Sequence, residues 1–436
     1  MKAIRTKLFL LLLVLSGSAY SQLMYLGTPS PKLTSATNAL IKLKQDTMYV
    51  PTLNGLFKKS VMSNDTLWIP AGFQGLKIND FVLIGPDSIV CVVDSTEGNT
   101  VFSSIDNGVS FTNVTNGFGG TGIDFQQGVR IDVNPDNHHE IIAMSGSCVA
   151  RSTNFCASWT PIYLNWGYSV YQPSVLVYHP LNSARMYSGG ELSLFDSYLA
   201  YSFNSGTSWV TSAVESNNAV NGITFHPANT DTIFIGKEGK ISRSADGGIT
   251  WSDVFTTPNY EYIYAVVYDE NNSNTLYAAG AVNGTNDTVR IFRSLDNGSN
   301  WQEWIKETFP NSDKQVISMV MCNSVLCLLT RDHSGNLTGV YKLNPSTVSV
   351  PELIMDDQIN IFPNPFSSET TLHTDKALKN ATLTIYNCFG ETVKQLKNIS
   401  GQTLTLSRDN FPNGMYFIRL TEENKIYTDK LIITDK

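Results

Sequence analysis

Eight residues recur along this chain, and each copy ends on an aromatic ring. Ser104, Asp106, Gly108 and Phe111 set the rule Ser-x-Asp-x-Gly-x-x-aromatic. Ser244, Asp246, Gly248 and Trp251 repeat it, as do Ser294, Asp296, Gly298 and Trp301. Ser202, Asn204, Gly206 and Trp209 keep it with Asn for Asp, while Ser152 to Trp159 puts Cys156 where Gly belongs. A degenerate first copy ends at Trp68. The residue types describe a self-satisfied β-turn. Gly allows positive φ in a tight hairpin. The Asp or Asn side chain accepts hydrogen bonds from the turn's own backbone. The Ser ties in the incoming strand, and the ring packs beneath as the chain returns.

The spacing sets the architecture. The closing aromatics stand at 68, 111, 159, 209, 251 and 301, so the gaps are 43, 48, 50, 42 and 50. A period in the forties with several short strands per unit is the signature of a propeller blade. A second repeated line, two apolar strands around a polar turn, runs through 129–144, 175–187, 222–235, 265–278 and 316–329. Asn134-Pro135, His179-Pro180 and His226-Pro227 mark its turns. The expectation is an all-β chain with a single propeller of seven blades, or six if the first or last unit is incomplete. The last blade's box reads as decayed. Residues 24–27 are expected to supply its final strand and remove the free edge.

The ends carry other information. Lys2, Arg5 and Lys7 precede a short apolar run, and Ala19 and Ser21 are small residues before Gln22. Residues 1–21 read as a signal peptide. The run is too short for a stable membrane anchor, and no later segment approaches that length, so no transmembrane segment is expected in the mature chain. Residues 22–350 form the expected propeller and 351–357 a linker. Residues 358–436 form a compact domain of short alternating strands, expected to be an Ig-like β-sandwich. With a net charge of −8 and no basic cluster, nucleic acid is not an expected partner.

Six cysteines offer two close pairs, Cys148 with Cys156 and Cys322 with Cys327. In an exported chain these either bridge or remain small buried hydrophobes. Cys91 and Cys388 lie in apolar strands and read as free and buried. Neither the cysteines nor the histidines have metal-site spacing, and no metal or cofactor is expected.

Two resemblances follow from these motifs. The repeated turn resembles the Asp-box, or bacterial neuraminidase repeat, of sialidase-like β-propellers. That resemblance implies that the box joins the third and fourth strands of each blade, on the face away from the ligand site. Asp106, Asp246 and Asp296 are then structural rather than catalytic. The early Arg-Ile-Pro motif of sialidases is reduced here to Ile69-Pro70 after Trp68. Arg151, Arg243 and Arg293 fall at equivalent repeat positions, which argues for packing rather than a convergent carboxylate clamp. The second resemblance rests on Pro363-Asn364-Pro365, Ile385-Tyr386-Asn387 with Phe389-Gly390, Gly414 with Tyr416, and the ending from Lys430. This segment is similar to the C-terminal sorting domain of the type IX (Por) secretion system of Bacteroidota. It implies handling by that machinery and its sortase-like peptidase, then release or surface attachment after passage through the periplasm.

The ligand and any reaction are less legible. Two loops expected on the ligand face are aromatic, with Trp166, Tyr168 and Tyr171 in one and Tyr260, Tyr262 and Tyr264 in the other. Such rings stack on sugars or point into the core between blades. The leading expectation is a propeller that binds an extracellular glycan or protein without catalysis. The alternative is a glycoside hydrolase using two loop carboxylates from Asp94, Asp124, Glu191, Asp196, Glu261 and Asp332.

Overall fold

A computed structural model describes residues 23–29, 39–94, 98–118, 128–146, 148–164, 172–191, 197–212, 218–282, 284, 287–345, 359–387, 391–422 and 425–435. The chain divides into two compact units between residues 348 and 349. The expected signal peptide and linker, and Cys388, lie outside the described residues.

Among the described residues, the first unit contains seven four-stranded antiparallel sheets. Their inner strands are Lys42–Lys44, Ile78–Ile84, Gly128–Val133, Gln172–His179, Val220–His226, Tyr262–Asp269 and Gln315–Cys322, which we number as blades 1 to 7. The inner strands of blades 2 to 7 neighbour one another in turn, blade 1 meets blade 2 through its second strand, and blade 7 returns to blade 1. The second strand of each blade carries a run of five or more consecutive buried residues, as in Ile141–Ser145 and Val325–Arg331. Continuous apolar runs are what a strand covered on both faces requires. The core is therefore a series of layers between blades. One such layer joins Val90 of blade 2 to Ile131 and Ala143 of blade 3.

The ring closes with strands from both ends of the unit. Met24–Tyr25 pairs antiparallel with Leu337–Leu343, setting Tyr25 opposite Tyr341. Leu26 N–H donates to Val340 O at 2.8 Å, and Trp68 Nε1 donates to Leu26 O at 2.9 Å. This arrangement explains the missing seventh box. The box links third and fourth strands, but the fourth strand of blade 7 comes from the far end of the chain. No hairpin exists there to carry it.

The close cysteine pairs are not bridged. Cys148, Cys156, Cys322 and Cys327 are free and buried, as is Cys91. Cys148 begins the third strand of blade 3, whereas Cys156 lies in the turn beyond that strand's other end. Cys322 stands opposite Val325 and Cys327 opposite Val320, so the two are diagonal rather than facing. Diagonal neighbours lie beyond disulfide reach.

The second unit is a five-stranded assembly around its own apolar cluster. Where short strands were expected, the chain forms one long run, Glu369–Tyr386, interrupted by register shifts. Its first part pairs with Ile359–Phe362 and its last part with Gly414–Glu422. Bulges let one strand bend and serve two partners. Asn364 ties the domain's opening to its closing strand: Nδ2 donates to Lys430 O at 2.7 Å, and Oδ1 accepts from Ile432 N at 2.8 Å. Thr370 Oγ1 donates to Pro363 O at 2.6 Å, and the Tyr416 hydroxyl to Pro412 O at 2.9 Å.

Candidate functional site

Strand alternation gives the propeller two distinct rims. The boxes join third to fourth strands, on the same rim as the first turn of each blade. The links between blades and the turns from second to third strand lie on the opposite rim.

On the box rim the Ser and the Asp or Asn of the boxes from Ser104 onward hydrogen-bond the turn's own backbone. Ser104 Oγ donates to Asp106 Oδ1 at 2.7 Å and accepts from Gly108 N at 2.8 Å. Ser110 donates its N–H and hydroxyl to the same carboxylate. Hydrogen bonds from the Ser110 hydroxyl and N–H, then from Ser104, hold Asp106 down at about 2. For Asp246, burial pushes upward, but Thr250 and Ser244 outweigh it and bring the group to about 2. These carboxylates stay ionised at neutral pH with their oxygens occupied, which removes them from acid–base work.

The box glycines do more than permit a turn, because each faces the preceding blade. A Cβ at Gly206 would lie 2.8 Å from Ile162, one at Gly248 would lie 3.1 Å from Tyr187, and one at Gly298 would overlap the Phe234 ring. The Tyr187 hydroxyl also donates to Gly247 O at 2.9 Å. Cys156 holds this position in blade 3 at φ +67, and its thiol joins the cluster shared with blade 2. Of the arginines, Arg151 lies 3.8 Å from Glu140, Arg243 covers the Phe234 ring and Arg293 the Trp304 ring.

The opposite rim presents a tyrosine ledge between blades 5 and 6. Tyr260 is 53% exposed and sits at φ +56, a backbone region that bulky residues rarely occupy. Its ring lies against Gly239, where a Cβ would come within 2.6 Å of it. Tyr262 meets it edge-on at 6.0 Å between centroids. Glu261 fastens the loop. Its carboxylate accepts from Asn259 N at 3.1 Å and lies 3.5 Å from Arg290, and its backbone N–H donates to Thr257 Oγ1 at 2.8 Å. Glu261 is thus a buried loop anchor. Tyr264 is a packed residue beneath Arg331, whose guanidinium lies 5.6 Å from the ring centre. Trp166, Tyr168 and Tyr171 lie outside the described residues.

Among the candidate acids, Asp124 and Asp196 also lie outside the described residues. Asp332 is committed to a turn, accepting from Asn336 N at 2.7 Å and Nδ2 at 2.8 Å. Asp94 is half-buried at the end of its strand. Glu191 is 6% exposed, and burial raises its pKa. Glu238, absent from the sequence candidates, is raised first by burial and then by the charge of Glu191. The two carboxyls are therefore neighbours on the ledge side of the ring. Lys237-Glu238-Gly239-Lys240, charges and a glycine closing an apolar strand, was the available signal.

Sequence reasoning also missed the axis. The inner strands of blades 2 to 7 share a register shift at an equivalent position, between Ile78/Asp80, Gly128/Arg130, Pro173/Val175, Val220/Gly222, Ile263/Ala265 and Val316/Ser318. Bulges re-aim side chains, and here they surround a cavity of about 290 Å³. Lys42 Nζ lies 2.8 Å from Asp80 Oδ1, and Asp80 Oδ2 accepts from Ile131 N at 3.1 Å. Asp132 accepts from Tyr178 N at 2.8 Å and is pushed up to about 6 by burial, against the pull of Lys42. Among the described residues, no group of three or more His, Cys, Asp or Glu is placed to hold a metal. No helix among them is long and apolar enough to cross a membrane.

Comparison with known proteins assigns the C-terminal unit. Residues 360–434 match the secretion system C-terminal sorting domain, which places the chain in the type IX route to the cell surface or extracellular space. Over 114 residues the chain is 28% identical to an endo-acting ulvan lyase of Formosa agariphila, covering 23% of this chain and 22% of that protein. Over 106 residues it is 30% identical to ulvan lyase NLR42 of Nonlabens ulvanivorans, covering 23% and 19%. The chain thus spans about a fifth of these curated relatives' length. Among solved structures, YCF48 bound to D1 peptide aligns over 74% of this chain and 96% of its own, at 13% identity and a TM-score of 0.51. The extracellular domain of a one component system of B. thetaiotaomicron covers 94% of this chain and 54% of its own, at 11% identity and a TM-score of 0.51. At such identities these likenesses speak for the propeller fold alone.

Proposed function

We propose that this chain is an exported Asp-box propeller of the sialidase-like class that binds an extracellular ligand, a glycan before a protein, on the rim opposite its boxes. In this reading, residues 1–21 are removed on export. Residues 22–350 form the binding module, and 351–357 link it to the sorting domain at 358–436. The observation that carries the reading is Tyr260. An exposed ring is held on a strained backbone, seated on Gly239 and braced by Tyr262, while Glu261 locks the loop beneath it. An aromatic fixed before the ligand arrives loses little entropy on binding and offers a flat face to the apolar side of a sugar ring.

A glycan array probed with the exported chain tests this, with ulvan included and reducing ends assayed on every hit. Binding without release supports the proposal, and absence of any glycan hit removes the glycan reading. The second reading, a glycoside hydrolase, draws support from the neighbouring Glu191 and Glu238, since a carboxyl with a raised pKa can hold the proton a leaving oxygen needs. Sugar release abolished by both Glu191→Gln and Glu238→Gln would establish it.

A further inference from the structure

Charge on the rim opposite the boxes narrows the class of ligand, an inference that rests on the tyrosine ledge being the binding face. Glu238 is tied to the ledge through the backbone. It pairs with Tyr262 in an isolated antiparallel bridge, and Gly239 beside it seats the Tyr260 ring. Residues paired in this way put their side chains on one face, so the Glu238 carboxyl stands by the Tyr262 ring.

Glu191 reaches the same place from another blade. It ends the second strand of blade 4, two residues beyond Gly189, and so points to the same side. A Cβ at Gly189 would lie 3.5 Å from Val220, and Val220 pairs with Lys237, the residue before Glu238. Glu191 is 6% exposed, yet its carboxyl has no hydrogen-bond or ion-pair partner among the described residues. Its oxygens are not sealed from solvent, since the buried side-chain atoms without partners lie elsewhere. Two like charges held together with no cation between them are costly. The cations of the neighbouring strands are engaged elsewhere: Lys237 and Lys240 on Asp253, Arg290 on Glu261 and Glu303. Residues 192–196, after Glu191, and 213–217, before Asn218, contain no Lys, Arg or His and add Asp196 and Glu215. The cation that completes this site therefore comes from outside the chain.

We propose that the ledge takes an oligomer of amino sugars with free ammonium groups, one ring on Tyr260 and the ammonium groups against Glu238 and Glu191. An ammonium donates charge-assisted hydrogen bonds to a carboxylate and is attracted to the face of a tyrosine ring. An N-acetylated sugar offers the apolar ring face without the charge, and an anionic sugar meets like charge.

The test is isothermal titration of the full exported chain with a glucosamine oligomer, the N-acetylglucosamine oligomer of equal length, and a lysine-rich peptide. The glucosamine oligomer is expected to bind about tenfold or more tighter than its acetylated counterpart, with the gap narrowing as salt rises. Glu238→Gln and Glu191→Gln are each expected to weaken the glucosamine oligomer by about tenfold and leave the acetylated one unchanged. Both variants are expected to keep a Tm at or above that of the wild type, since each removes an uncompensated charge. Tyr260→Ala is expected to weaken both sugars. Equal affinity for the two sugars, or full affinity for the glucosamine oligomer in both Gln variants, would overturn the ammonium assignment and leave the ledge standing. Binding of neither oligomer would also overturn it, whereas the glycan reading itself falls only with an array that yields no hit. A lysine-rich peptide bound as tightly as the glucosamine oligomer would overturn the choice of a sugar.

Discussion

Replacing Gly298 by Ala isolates the contact that staples one blade to the next. Gly298 sits at φ +77, and a methyl there would enter the ring of Phe234, a fully buried residue of blade 5. Two costs add. A left-handed backbone costs an L-residue about 1–2 kcal/mol, and forcing a methyl into a packed core costs a further 1–3 kcal/mol or so. The expected loss is about 2–5 kcal/mol. Gly98 supplies the matched control, because its φ is +76 and nothing lies within 4 Å of a Cβ built there. Gly98→Ala carries only the first cost. Urea unfolding of the two variants measures the difference, expected at about 1–3 kcal/mol. Phe234→Leu should then cost less in the Gly298→Ala background than in the wild type, with coupling of about 1 kcal/mol. Equal losses for the two glycine variants would refute the idea that box glycines are chosen for contact between blades as well as for φ.

Other outcomes follow from the axis and the thiols. Asp132 is raised to about 6 from an ordinary 3.8, with Lys42, Asp80 and the Tyr178 N–H facing it. The native state therefore binds this proton more tightly than the unfolded chain does. Relative to Asp132→Asn, the wild type should lose stability as pH rises from about 4 to 6, by at most about 3 kcal/mol since the cavity keeps some solvent; parallel curves from urea melts across that range would contradict this. Burial pushes Cys148, Cys156 and Cys327 up to about 12 and raises Cys91 and Cys322 as well. A thiol reagent should find at most one reactive group in the native chain and all six in urea, whereas two in urea would mean that both close pairs had bridged.

The boxes were legible because turn chemistry fixes residue types at fixed offsets, and a repeated turn sets the blade period. The closing strand at Met24–Tyr25 was legible for a related reason: a ring with one short blade needs an edge filled. The axial site was not. Arg130 and Asp132 alternate with Val129, Ile131 and Val133, which hints at charges facing inward, but the bulges that surround the cavity are register relations between two strands. No residue type announces it. Glu238 was hidden similarly, because its neighbour Glu191 comes from another blade. The cysteine spacings left bridged and free open because five or eight residues along a chain say little about distance once strands intervene.

Ligand binding on the rim opposite the boxes is tested most directly by two aromatic truncations compared on the same glycan hit. Tyr260→Ala removes the ledge, and Phe203→Ala removes a 38% exposed ring on the box rim. Isothermal titration should show affinity falling about tenfold or more for Tyr260→Ala, the 1.4 kcal/mol or so of a stacked ring, with Phe203→Ala close to wild type. Unchanged affinity in Tyr260→Ala, or an equal loss in Phe203→Ala, would contradict the placement of the binding face.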